Sequence, residues 1–164
     1  MNLAALAPQW LVVLLIVLLL GAAVEDAIRL RISNLTCIAI FAAGIAAMAL
    51  VGPTLALWQN FVVFVGLLVA GTPLFAAGKM GGGDIKLLAA TGLWFDLKGA
   101  LLVLMCVLIA GGILAILLIA FRSWRRSAQA KEGVKLRKRG GVIPYGVAIC
   151  AGGIFGISLA AGWG

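Results

Sequence analysis

Apolar runs long enough to cross a lipid bilayer follow one another along this chain, with little that is polar between them. A helix crossing the ~30 Å hydrocarbon core needs about 20 apolar residues. Runs of that kind are read at residues 8–27, 35–52, 55–77, 84–97, 99–121 and 142–162. The hydrophobic fraction is 65% and the mean hydropathy +1.23, against roughly 45–50% apolar content in soluble domains. With 164 residues, most of the chain must lie in lipid. The expected fold is an all-α, polytopic membrane helix bundle of about six transmembrane helices. Residues 1–164 are expected to form a single integral membrane domain. No Lys or Arg precedes residues 11–20, so the basic region of a signal peptide is missing and the segment reads as a retained span.

Charge gives the orientation. With six spans, one side receives all but one, Lys98, of the 13 Lys and Arg residues. The basic side is expected to be cytoplasmic, which places both termini outside the cytoplasm. Residues 122–141 carry eight basic residues against Glu132 alone. They read as a solvated cytoplasmic loop that fixes orientation and touches anionic lipid headgroups. Nucleic acid is not an expected partner, because nothing aromatic or fold-like accompanies the charge. Trp10, Trp58, Trp94 and Trp163 fall near outer span ends and Trp124 near an inner one, as interfacial anchors do. Gly111-Gly112 and Gly152-Gly153 are expected to permit close helix contact.

Against this background two of the five acidic residues stand out. Asp26 ends the first span, in Glu25-Asp26-Ala27-Ile28-Arg29-Leu30-Arg31-Ile32-Ser33-Asn34. Asp84 opens the fourth, in Met80-Gly81-Gly82-Gly83-Asp84-Ile85-Lys86. Both fall on the basic side. A carboxylate at a bilayer edge is unfavourable without a partner or a task. Each also has an ordinary reading: Asp84 as a helix N-cap after a glycine linker, Asp26 as an interfacial charge. Glu25 points about 100° away from Asp26 around a helix and cannot share its role.

Two carboxylates held close cannot both ionise cheaply, so one keeps its proton while the other is charged. The charged one can take a proton from water and the protonated one can donate to a carbonyl oxygen. Gly81, Gly82 and Gly83 would leave a bare surface for an extended peptide beside Asp84. The phosphate-binding pattern G-x-x-x-x-G-K-[ST] is absent. Histidine is absent too, which removes the usual general base and the commonest metal ligand. A Ser–Lys pair with Ser33, Ser123 or Ser127 lacks a desolvated lysine. No metal and no cofactor are expected. Cys37, Cys106 and Cys150 lie in apolar runs and read as small core or lipid-facing residues. From Asp84 to Leu97 the fourth span would cover only about 21 Å. That shortness would set Asp84 in a wet notch below the headgroups.

At these residues the chain resembles the prepilin peptidases, membrane aspartic proteases with a GxGD motif. Three blocks carry the resemblance: Asp26 followed by Ser33-Asn34; Gly81-Gly82-Gly83-Asp84-Ile85-Lys86; and Ile143-Pro144-Tyr145-Gly146. It runs from about residue 10 to 160. The resemblance implies that Asp26 and Asp84 are catalytic. Gly81, Gly82, Gly83, Lys86, Asn34, Pro144, Tyr145 and Gly146 would support the site or bind substrate. Position 33 departs from the family, which has proline there; Ser33 can instead cap the second span. The chain lacks the CxxC segment of the longer, methylating members and is similar to the short form serving Flp or tight-adherence pili. The implied function is a membrane-embedded aspartic endopeptidase of the bacterial inner membrane. It would remove the short basic leader of type IV or Flp pilin-like precursors at the cytoplasmic face. Two other readings stand beside it: a small ion- or proton-coupled transporter, or a non-enzymatic subunit of a secretion machine. A transporter is expected to carry polar groups near mid-membrane, whereas the span centres here are uncharged.

Overall fold

A computed structural model describes residues 2–52, 55–130 and 145–162. The described chain is helical, with no strand among the described residues. Seven α-helices follow in order: α1 Leu3–Leu6, α2 Gln9–Arg29, α3 Asn34–Val51, α4 Trp58–Ala76, α5 Gly82–Gly92, α6 Leu97–Ala130 and α7 Tyr145–Gly162. A single 3-10 turn, Leu55–Leu57, leads into α4. Four helices are long and apolar enough to cross a membrane: Gln9–Arg29, Asn34–Val51, Trp58–Ala76 and Leu97–Phe121. The fold is a polytopic helical bundle, as the apolar runs predict.

Six of the helices fall where apolar runs were read; α1 was not foreseen. It is short but buries Leu3 and Ala4, and the Ala4 N–H donates to the Trp94 carbonyl at 3.2 Å. The core is built from α2, α3, α5 and α7. Leu11, Leu15 and Leu19 of α2 and Ile40 and Ala47 of α3 meet Leu87, Leu93 and Trp94 of the α5 region and Ile149 of α7. A large share of the remaining apolar surface faces outward: Leu101, Leu108, Ile113 and Ile116 of α6 are all exposed. Only lipid makes that arrangement stable, because a soluble domain rarely presents so wide an apolar surface.

Three expectations need correction. Helix α5 spans 11 residues, or about 16 Å, and is shorter than expected. It survives because Ile85, Leu87, Ala89, Ala90 and Thr91 are buried among the other helices instead of facing lipid. Trp94, expected at the membrane interface, is fully buried, and its indole N–H donates to the Ile40 carbonyl at 3.3 Å. Trp10, Trp58 and Trp124 are exposed, while Trp163 lies outside the described residues. Finally, α6 runs on to Ala130, so residues 122–130 of the expected basic loop are helical. Arginine, alanine and glutamine there are good helix formers. Residues 131–141 of that loop lie outside the described residues.

Glycine contacts set the close approaches. A Cβ on Gly152 would lie within 3.0 Å of the Val107 backbone, so α7 packs directly on the backbone of α6. A Cβ on Gly153 would meet Leu19 of α2 at 3.1 Å and Thr91 of α5 at 3.3 Å. Helix α7 is thereby wedged between the helices that carry Asp26 and Asp84. Gly111 is in ordinary contact with Ala148, and nothing lies near Gly112, so only the α7 pair of glycines acts as expected.

Candidate active site

Asp26 lies in the last turn of α2 and Asp84 in the first turn of α5, at the same end of the bundle. Asp26 is buried, with 4% of its surface exposed, and its Oδ2 accepts the Gly146 N–H at 2.7 Å. That bond joins residues 120 positions apart, tying the start of α7 to the end of α2. It requires glycine: a Cβ at 146 would lie 2.9 Å from both Asp26 Cβ and Asp26 Oδ2. Asp84 is half-buried. Sequence position separates these two carboxylates widely, and the bundle brings the helix ends that carry them to one side.

Asp84 is not the N-cap of α5. Gly81 holds that position in extended conformation, while Gly82 and Gly83 already form the first helical turn. Of the three glycines, only Gly81 precedes the helix. Asp84 is the third helical residue, and its Oδ2 accepts the Gly81 N–H at 3.2 Å. This satisfies one of the free N–H groups at a helix start, as the N3 acid of a capping box does. Asp84 Oδ1 is buried and has no hydrogen-bond partner among the described residues. The carboxylate thus has one oxygen anchored and the other buried without a partner among the described residues.

Helices α2 and α5 share no extensive interface; α5 packs on α3, α4 and α7, and α2 on α3 and α7. The turn between α2 and α3 closes the gap at the site. Ile32 reaches both sides: its Cβ would be 3.1 Å from a Cβ on Gly83, and its Cδ1 3.0 Å from one on Gly146. The turn begins with Leu30 in the left-handed region, φ 54°, and its N–H closes on the Asp26 carbonyl at 2.8 Å. Such a conformation costs a non-glycine residue roughly 1–2 kcal/mol. Ser33 then caps α3, its hydroxyl accepting the Leu35 N–H at 3.1 Å. This is the capping role expected for serine at this position.

Other expected site residues converge here as well. Lys86 Nζ donates to Asn34 Oδ1 at 2.9 Å, linking α5 to the start of α3. Tyr145 opens α7 beside Gly146, and Pro144 lies outside the described residues. Gly82 packs under the Phe75 ring of α4. Residues not foreseen also take part. Cys37 is buried, and its thiol donates to the Gly83 carbonyl at 3.7 Å. Glu25 accepts the Ser33 N–H at 3.1 Å and the Thr36 hydroxyl at 3.4 Å, with Arg29 at 4.0 Å. An apolar cavity of about 480 Å³ opens beside Lys86 and Asn34 and continues to Phe41 of α3 and Phe64 of α4.

Fold and site together describe an integral-membrane helical bundle with two acidic side chains gathered at one end. The type IV leader peptidase family model matches residues 13–116, and the chain belongs to that family. No curated protein and no solved structure matches the chain. Family membership makes this a membrane protease, a hydrolase of the leader-peptidase kind, whose substrates are prepilin-like precursors. The matched region contains Asp26, Asn34, Asp84 and Lys86 but ends before α7 and Gly146.

Proposed function

We propose that the protein is an aspartic leader peptidase in which Asp26 and Asp84 form one acid/base pair at the cytoplasmic membrane face. The observation that supports this reading is geometric: Asp26 ends α2 and Asp84 opens α5 at the same end of the bundle, where Ile32 lies against both Gly83, the neighbour of Asp84, and Gly146, the donor to Asp26. One carboxylate takes a proton from water, and the resulting hydroxide attacks the scissile carbonyl carbon. The other gives its proton to the carbonyl oxygen. As the tetrahedral gem-diol collapses, the carbon–nitrogen bond breaks, the leaving amine takes the proton held by the first carboxyl group, and one gem-diol hydroxyl returns its proton to the second, restoring the pair. No covalent enzyme intermediate is formed. The Gly146 N–H fixes Asp26 Oδ2, and the Gly81 N–H fixes Asp84 Oδ2. Both carboxylates are thus oriented before substrate arrives, which is what general acid–base work demands.

The fold and the charge together support this orientation. Helix α6 starts at Leu97, at the far end from the site, and its basic extension therefore emerges at the site end. The positive-inside rule sends that end to the cytoplasm. The substrate is a precursor, of the Flp or tight-adherence class in this reading, whose apolar helix stays in the membrane while its short leader is removed. The whole of residues 1–164 acts as one domain in this reading. Lys86, Asn34, Tyr145 and the residues of the glycine turn line the approach to the pair. The test is co-expression with pilin-like precursors from the same genome, scored by a mobility shift. A shift abolished by Asp26→Asn and by Asp84→Asn is expected. Full cleavage by either variant would remove that residue from the site.

A further inference from the structure

We infer that Glu25 is a positioning residue: its carboxylate clamps the turn between α2 and α3, and through Ile32 that clamp sets how Asp26 and Asp84 approach each other. The inference rests on the reading of the two aspartates as the acid/base pair. Glu25 is half-buried on α2, next to Asp26 in sequence but facing away from it. Its Oε2 collects the Ser33 backbone N–H and the Thr36 hydroxyl, 8 and 11 residues further on. One side chain thus ties the end of α2 to the start of α3. Leu30 sits in a conformation that leucine disfavours, φ 54°, and beyond the Leu30 N–H bond to Asp26 and the Ser33 cap, the Glu25 carboxylate is what ties the two helix ends together across the turn.

The turn matters because of what it carries. Ile32 lies against Gly83, the residue before Asp84, and against Gly146, the donor to Asp26. It is the one side chain seen to touch both halves of the site among the described glycine contacts. Since α2 and α5 have no extensive interface of their own, a slack turn frees both ends.

Position 33 provides the decisive check. Ser33 has φ −66° and ψ 137°, inside the range that proline enforces by its ring. Serine leaves an N–H that needs an acceptor, and Glu25 supplies it; proline has no such N–H and holds φ by itself. The clamp and a proline are therefore alternative ways to fix one turn, and substituting one should offset loss of the other.

The full chain is assayed on a precursor bearing a basic leader and an apolar helix, with rates normalised to inserted protein. Glu25→Ala is expected to lower kcat about tenfold or more while KM stays within about twofold, since misplaced catalytic groups slow chemistry rather than binding. Glu25→Gln keeps an acceptor oxygen and should lose about threefold or less. Ser33→Pro should bring Glu25→Ala back to within about threefold of Ser33→Pro alone. A Glu25→Ala rate equal to wild type, or a Glu25→Ala loss that is the same with and without Ser33→Pro, overturns the clamp. Should Glu25→Ala fail to accumulate, the milder Thr36→Val in detergent decides through amide exchange. Faster exchange over residues 31–36 with α7 unchanged supports the clamp, and unchanged exchange there overturns it. Failure of the dyad itself shows differently: Asp84→Asn would cleave at the wild-type rate, whereas the exchange measurement reads the turn alone.

Discussion

At the scale of single residues, the proposed site depends on a carboxylate pair and on one glycine that lets a backbone reach Asp26. Asp26→Asn and Asp84→Asn should each reduce cleavage by at least about 100-fold, because an amide can neither accept nor donate the proton in flight. Asp96→Asn is the matching control. Asp96 lies at the far end, where its Oδ1 accepts the Gly99 N–H at 2.8 Å, and asparagine caps a helix as well as aspartate. Its cleavage rate should match wild type. Gly146→Ala places a methyl 2.9 Å from Asp26 Cβ and Oδ2. Something must shift, and the carboxylate is the nearest movable group. Displacement of about 1 Å is enough for a loss of roughly 100-fold in rate, with protein abundance unchanged on an immunoblot. Near-normal cleavage by Gly146→Ala would mean that the Asp26 side chain tolerates relocation. Cleavage should also survive chelators, since a chain without histidine lacks the usual ligands of a tight zinc site. Loss in EDTA that zinc restores would contradict the two-carboxylate chemistry.

At the scale of elements, the sequence told of helices more readily than of their surroundings. Uninterrupted apolar runs announced α2, α3, α4, α6 and α7, because lipid leaves a helix as the cheapest way to satisfy the backbone. The brevity of α5 was legible from the short stretch between Asp84 and Leu97. Its burial was not, so Trp94 read as an interfacial anchor when it is a core residue bonded to Ile40. An apolar residue looks the same in sequence whether it faces lipid or protein. The polar tail of α6 reads as loop in the sequence because its charge masks the helix preference of its residues. At the candidate site, Asp26, Asp84, Asn34 and Lys86 stand out singly through their motifs, but the bond that joins Lys86 to Asn34 does not. Glu25 and Ile32 do not stand out, since their contacts cross a turn and leave no periodic trace. The α4–α5 contact gives a test at this scale. A Cβ on Gly71 would collide with the Ile85 side chain. Gly71→Val should therefore lower stability by about 1–3 kcal/mol, as overpacking does. Ile85→Ala in the same protein should recover part of the loss in a thermal melt in detergent. If the single substitution leaves the melt unchanged, α4 and α5 do not pack at this distance.

At the scale of the whole molecule, the proposed chemistry needs two ends of one chain to meet although their helices barely touch. Helix α7 and the α2–α3 turn fill the space between them, with Gly153 against Leu19 and Thr91, and Ile32 against Gly83 and Gly146. The pair is therefore a property of the assembled bundle and not of any local segment. This separates a dyad within one chain from a site shared between copies. Replacing Cys37, Cys106 and Cys150 by alanine leaves a chain without thiols. Single cysteines are then placed at 26 and 84. A disulfide requires Cα atoms within about 7 Å, so a short bifunctional linker is the fairer probe. Efficient linking is expected at monomer mass. None is expected between 26 and 98, because Lys98 begins α6 at the opposite end. Cys37 itself lies against Gly83, so its replacement must first be shown to leave the parent cleaving its precursor. Linking that occurs only at dimer mass would move the site to an interface between two copies. Failure of every short linker in a chain that still cleaves in its Asp form would mean that Asp26 and Asp84 work apart, and the shared-proton mechanism would fall with it.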